Sequence, residues 1–309
     1  VHPYPAVGDK VGPYRIEGRL GGGEHGVVFA AVQASSGARV ALKVMSPAIT
    51  GDPATKRRLT LAARSAASVR SPHVARVYLY GEDNTRRLYI ASELVAEGCL
   101  AQVLDDQGPA PVQAGIDLMA QLATGLAAAH ARGLVHGALT PANVLLQWRE
   151  GRAVGLLADV GTGWSATAPE VHLGSPSGVA SDIHSMGALL WETLTGQPVH
   201  HGTPFQVAEC YIKDPPPRLA GLSPQVRHLN QLLARAMHRD PERRHGSALE
   251  LRDDLLAALA LPGESGPLLR APHPRSGPSD RTQVLTFCFA LALMSLGLVA
   301  GAAMLMMSF

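Results

Sequence analysis

Lysine is scarce in this chain of 309 residues: Lys10, Lys43, Lys56 and Lys213 are the full set. The formal net charge is +2, which gives no electrostatic footprint for a nucleic acid. Cysteine is equally sparse. Cys99, Cys210 and Cys288 are odd in number, far apart and outside any CxxC spacing, which excludes a disulfide framework and points to a reducing, cytosolic compartment. Charged residues are 17% against 46% hydrophobic, a balance that excludes a wholly disordered chain. Three local absences stand out. No Asp or Glu occurs in residues 53–81 or 118–149, and no charged residue follows Arg281.

The charge-free end is what remains to be explained. Residues 284–307 are Leu, Ala, Met, Val, Gly and Phe with a few small polar groups. As a helix this run reaches roughly 36 Å at about 1.5 Å per residue, enough for a hydrocarbon core of about 30 Å. It has no polar face, as a buried soluble helix would, so it is expected to be a single transmembrane helix. Gly297 and Gly301 form a GxxxG pair, a face for self-association of spans. Arg270, Arg275 and Arg281 precede the run, and the positive-inside bias places the upstream chain in the cytoplasm. The N-terminus lacks the apolar core of a signal peptide, so secretion is not expected.

Residues 1–13 read as an irregular lead-in. Tyr14–Leu20, Val27–Gln33, Ala38–Met45, Val74–Tyr80 and Arg87–Glu93 read as strands, rich in β-branched or aromatic residues and separated by turns. One helix interrupts them, capped by Asp52 with Pro53 in its first turn and Leu59, Ala62, Ala63, Ala66 and Val69 at helical spacing. From Pro111 the periodicity is helical: Pro111–Arg132, Asp182–Thr195, a helix opened by Ser223-Pro224, and one opened by a capping box at Ser247 and Glu250. Residues 261–283 are Pro-, Gly- and Ser-rich and read as a flexible juxtamembrane linker. His200 and His201 are adjacent without metal-ligand spacing and read as a solvated loop.

Gly21, Gly23 and Gly26 form G-x-G-x-x-G, with Val28 two residues on. The dinucleotide version of this pattern needs a helix after the glycines. Here they lie between two strand-like runs, which suits a hairpin loop over phosphates better. Lys43 sits in the hydrophobic run Val40–Val44, where a solvated lysine is out of place, although a lysine snorkelling from an edge strand would also fit.

From Tyr14 to Leu259 the chain resembles the bacterial eukaryotic-like (Hanks-type) Ser/Thr protein kinases, through many landmarks in order. The resemblance implies an α+β, two-lobed kinase fold with an N-lobe at 14–95 and a C-lobe at 96–260. It also implies ATP and Mg²⁺ as ligands. Gly21, Gly23, Gly26 and Lys43 resemble phosphate-binding groups, and Val28, Ala41 and Leu145 the adenine-contacting residues. Glu93 and Val95 resemble the hinge, with Ser92 as gatekeeper. Asn143 and the Asp159 of Asp159-Val-Gly161 resemble the metal ligands, and as oxygen donors they suit Mg²⁺. Ala168-Pro-Glu170 is similar to the APE motif, whose Glu is expected to pair with Arg244.

Several of the family's catalytic groups are missing. A protein kinase uses an Asp to accept or orient the substrate hydroxyl proton, and that position is Ala138. The neighbouring Arg is Gly137, and the lysine that steadies the γ-phosphate is Thr140. The Glu that pairs with the strand lysine falls at Ala62, and no acid between residues 53 and 81 can replace it. Thr162–Thr167 alone separate Asp159-Val-Gly161 from Ala168, too few for a peptide platform or a phosphosite.

The expectation is a membrane-anchored pseudokinase with no catalytic residue. It would bind ATP and Mg²⁺ and act as a scaffold or allosteric regulator of protein partners, an active kinase among them. Its place would be the inner (cytoplasmic) membrane, single-pass, with the kinase-like domain in the cytoplasm and the C-terminus at the outer face. Two alternatives stand beside it: a slow or unconventional protein kinase, and a relic of the fold that binds no nucleotide.

Overall fold

Short apolar runs broken by glycine make the first third of the chain a sheet. The computed structural model describes residues 4–23, 25–161, 167–263 and 268. Six antiparallel strands are ordered β1-β2-β3-β4-β6-β5: β1 Lys10–Val11, β2 Tyr14–Gly23, β3 Gly26–Gln33, β4 Arg39–Met45, β5 Val77–Glu82 and β6 Leu88–Ser92. Side chains alternate between faces along each strand. Val27, Phe29 and Ala31 stand opposite Val44, Leu42 and Val40, and all six are buried in one cluster. Val28 stands opposite Lys43 on the other face, with Ala41 two residues along, and these three are only part-covered.

Two short helices follow β4: α1 Pro47–Thr50 and α2 Pro53–Ala66. Asp52 caps α2, its carboxylate accepting from the amides of Ala54 and Thr55 at 3.3 and 2.9 Å. Leu59 on α2 packs with Met45 and Leu88, which fixes the helix to the sheet.

The second lobe holds α3 Leu100–Gln107, α4 Val112–His130, a hairpin of β7 Val144–Arg149 and β8 Arg152–Leu157, α5 Pro169–His172, α6 Val179–Thr195, α7 Pro204–Lys213, α8 Pro224–Ala236 and α9 Ala248–Leu259. Its core joins Ile116, Met119 and Leu126 of α4 to Ile183, Leu190 and Trp191 of α6, Leu229 and Leu233 of α8, and Leu251 and Leu255 of α9. The sheet lobe and the helical lobe are those expected from the sequence.

Several boundaries differ from expectation. The lead-in is partly ordered, since Lys10 and Val11 pair with Arg15 and Tyr14. Helix α2 ends at Ala66, and Val69 is buried from the turn that follows. Helix α6 begins at Val179, ahead of Asp182. The capping box of α9 is half formed: Ser247 Oγ accepts from the Glu250 amide, but Glu250 reaches the Gly246 amide rather than that of Ser247. The Pro-rich segment begins on the helical lobe, where the Gln225 amide donates to the Pro262 carbonyl at 3.2 Å and Leu268 is buried in the core. The expected span 284–307 lies outside the described residues. Among the described residues, no helix is long and apolar enough to cross a membrane.

Candidate functional site

The glycine hairpin is built as the spacing predicts. Gly23 pairs with Gly26 at the turn between β2 and β3, with Gly21 opposite Val28. Gly26 has φ 156°, and a Cβ there would lie 2.5 Å from the Val44 carbonyl oxygen, so only glycine lets the hairpin lie this close to β4. Val28, Ala41 and Lys43 share one face of the sheet, and Ser92 stands opposite Ala41 at the end of β6. Glu93 leaves the strand with its amide on the Arg76 carbonyl at 2.8 Å, and its carboxylate accepts from the Arg76 amide at 3.2 Å. Val95 is buried, 9% exposed. In β7, Val144 and Leu146 turn into the helical core while Leu145 lies on the opposite, part-covered face and bridges to Cys99.

The charged centre joins the two lobes. Lys43 Nζ donates to Asp159 Oδ2 at 2.6 Å, a charge-assisted hydrogen bond between side chains 13% and 27% exposed. Asp159 holds a left-handed φ of 59°. Asn143 is tied to the same loop: the Ala158 amide donates to its carbonyl at 2.9 Å. Its Nδ2 donates to the Ala138 carbonyl at 2.8 Å, which commits the amide nitrogen to the loop and reserves Oδ1 as an acceptor.

A buried carboxylate on α6 holds the loop 136–143 in place. Asp182, 1% exposed, accepts from the His136 amide at 2.7 Å, the Gly137 amide at 2.9 Å and His130 Nε2 at 2.9 Å. Burial lowers the pKa of His136 and favours its neutral form. Gly137 has φ 73°, a conformation that glycine takes without strain. Ala138 lies between this anchored backbone and Asn143 and is 4% exposed. A methyl group therefore occupies the base position on a loop that is otherwise fully braced. Sequence reasoning placed Asp182 at a helix start but missed its bracing role. The signal was available, for an acid inside a helix as apolar as α6 needs partners.

Ala62 of α2 faces Gly161: a Cβ placed on Gly161 would come within 3.4 Å of the Ala62 Cβ. The helix thus approaches the Asp159-Val-Gly161 segment without a carboxylate, and Lys43 pairs with Asp159. Val160 is buried in the core. Residues 162–166 lie outside the described residues. Beyond them, Glu170 forms the expected pair with Arg244. Both guanidinium NH groups donate to its carboxylate at 2.8 and 2.7 Å, with the Arg244 side chain fully buried. Arg244 also donates to the carbonyls of Ala180 and His238.

The donor set fits a nucleotide with a hard divalent cation. Asn143 and Asp159 would offer Mg²⁺ oxygen ligands, Lys43 a cation for phosphate, and the glycine hairpin a backbone without side-chain bulk. At the position that resembles the family's catalytic Asp stands Ala138, whose methyl group cannot accept a proton.

The protein kinase domain family matches residues 14–255. The Ser/Thr protein kinase PknE of Mycobacterium tuberculosis is 30% identical over 82% of this chain, which spans 47% of that kinase's length. PknA of the same organism is 31% identical over 89% of this chain and 68% of its own. The PknI kinase domain crystal structure from M. tuberculosis superposes with a TM-score of 0.70 at 29% identity, covering 82% of this chain and 99% of that one. The chain belongs to the protein kinase domain family, with relatives among the mycobacterial Ser/Thr kinases.

Proposed function

We propose that this chain is a membrane-anchored, catalytically impaired Ser/Thr kinase-like regulator. It binds ATP with Mg²⁺ in the cleft between the lobes and acts through protein contacts, with an active kinase as the partner class. The observation that carries the reading is Ala138. The loop around it is braced by Asp182 and Asn143, so the base is missing from a loop whose backbone is held in place. Loss of a general base costs about 10²–10⁴ in rate, and Thr140 in place of the phosphate-steadying lysine adds to that.

Lys43, Asn143 and Asp159 support nucleotide uptake. Mg²⁺, when bound, neutralises phosphate charge, with Asp159 and Asn143 as its protein ligands and Lys43 turned to the phosphates. Uptake exchanges the Lys43–Asp159 contact for contacts with the ligand, and so couples ATP to the closure of the two lobes and to partner affinity. The anchor is the apolar run 284–307, which places the kinase-like domain on the cytoplasmic side of the inner membrane.

Thermal melting of the full chain in detergent, with and without Mg-ATP, tests this. Ligand at about 100 times its Kd adds about 2.7 kcal/mol, and Lys43→Ala removes the shift. A chain that shows no shift is a relic of the fold. Retention of Lys43 and Asp159 also favours a second reading, a slow protein kinase. Transfer of γ-phosphate to protein that vanishes in Asp159→Ala establishes that reading and sinks the first.

A further inference from the structure

The loop between α6 and α7 and the end of α7 bring together three side chains that the kinase-like cleft does not use. We propose that His200, Cys210 and Asp214 form a binding site for a zinc-type divalent ion. Cys210 lies in the last turn of α7, and Asp214, four residues on, is its C-cap with an extended backbone. The Asp214 amide closes that turn on the Cys210 carbonyl at 2.7 Å. His200 arrives from the preceding loop and presents Nδ1 3.8 Å from Asp214 Oδ2. One ligand atom from each residue, nitrogen, sulfur and oxygen, lies within 4.8 Å of the other two. Tetrahedral zinc sets such atoms about 3.3–3.6 Å apart, so the three groups must draw in by up to about 1 Å, and the half-exposed Asp214 side chain has room to move.

The donor chemistry selects the ion. A thiolate with an imidazole discriminates against Mg²⁺ and Ca²⁺ and suits Zn²⁺, and the carboxylate completes a three-ligand set with water as the fourth. The imidazole is already positioned. His200 is 10% exposed at its side chain and packs edge-on against Tyr211, ring centres 4.6 Å apart at 87°. Asp214, 47% exposed at its side chain, gives the ion a path from solvent. Zn²⁺ is bound by the thiolate, so uptake releases the Cys210 thiol proton to solvent while the sulfur, the His200 nitrogen and the Asp214 oxygen bond the metal.

The site has a mechanical consequence. Tyr211 stacks on His172 of α5 and meets His184 of α6 edge-on. An ion that fastens His200 to α7 thus stiffens the packing beside Glu170, on the side of the lobe where Thr167 re-enters the described structure.

The test is Co²⁺ and Zn²⁺ titration of the EDTA-treated full chain. Cobalt held by Cys210 gives a thiolate-to-metal charge-transfer band in the near ultraviolet. Cys210→Ser abolishes that band, while Cys99→Ser and Cys288→Ser leave it intact. In competition with a chromogenic chelator, Asp214→Asn weakens Zn²⁺ at least 10-fold. The Asp214 side chain is half exposed, so the metal-free Asp214→Asn variant should melt as the parent does and keep the result interpretable. Absence of the band, its survival in Cys210→Ser, or Zn²⁺ affinity unchanged by Asp214→Asn overturns the proposal.

Discussion

The Lys43 ammonium meets the Asp159 carboxylate at 2.6 Å across 116 residues of sequence. In a protein kinase this lysine is paired with a Glu from the small-lobe helix. Here the helix presents Ala62, and the carboxylate within reach belongs to the segment expected to hold metal. Two groups whose proposed ligands are different parts of one Mg-ATP thus neutralise each other directly.

A carboxylate on α2 should relieve that pairing. In Ala62→Glu, Lys43 acquires a second acid, and the metal-free cost of separating it from Asp159 falls. Mg-ATP affinity is expected to rise several-fold, measured by calorimetry. Weaker binding than in the parent would contradict this account of Lys43.

Restoring the missing base should recover hydrolysis before it recovers peptide phosphorylation. Ala138→Asp with Thr140→Lys places both groups on a loop already braced by Asp182. Release of γ-phosphate is expected to rise by about 10²-fold or more. Phosphorylation of peptides stays low, because residues 162–167 are too few to form a platform. A double variant as inert as the parent would show that the loop is not a working frame.

Removing the Asp182 carboxylate should loosen the same loop. Asp182→Ala leaves the buried His136 amide and the part-buried Gly137 amide without their acceptor, at about 1–3 kcal/mol for a fully buried group. Denaturant midpoints report the loss, and amide exchange at His136 and Gly137 accelerates more than elsewhere. Uniform exchange across the lobe would mean that Asp182 stabilises the fold without bracing this loop in particular.

The Glu170–Arg244 pair predicts a larger effect. Its guanidinium is fully buried, and breaking such a pair by deleting one partner costs about 3–5 kcal/mol. Glu170→Ala should show this in chemical denaturation. Arg244→Lys should not be tolerated either, since an ammonium cannot reproduce the forked donation to Glu170. A loss under 1 kcal/mol in both variants would contradict the geometry.

Acid should weaken the helical lobe through His184. Burial, with Arg244, His172 and His200 nearby, lowers its pKa from 6.5 to about 3. The unfolded chain therefore binds a proton that the folded chain refuses between those values, and stability falls as pH drops from about 6.5 towards 3. His136 adds a shift of the same sign by burial. The slope of stability against pH should be shallower in His184→Gln, and equal slopes would assign the acid sensitivity elsewhere.

How much was legible in the sequence depends on how much each element buries. Helices α4 and α8 were readable because Ile116, Met119 and Leu126, or Leu229 and Leu233, recur on one face that the core covers. Helices α3 and α7 were not read. Each buries a single residue, Leu100 and Tyr211, and so carries little periodic signal. Their starts were marked all the same: Thr203 with Gln206 is a capping pair three residues apart, and Gln102 plays the same part for Cys99. His200 shows no metal-ligand spacing in the sequence because its companions are Cys210 on α7 and Asp214 at its C-cap, which only the fold brings near it.

The sequence by itself determined the two-lobed fold, the order of the motifs, the absence of a base at Ala138 and of any acid on α2. These follow from which residue types are present, and no packing can supply a carboxylate that the chain lacks. Only the tertiary structure decided what the remaining charges do. Lys43 turned to Asp159, Asp182 took the amides of His136 and Gly137, and His200 came beside Cys210 and Asp214. Each pairing links residues that are remote in sequence or lie on elements the sequence did not reveal, so packing of the elements, rather than spacing, brings their atoms within bonding distance.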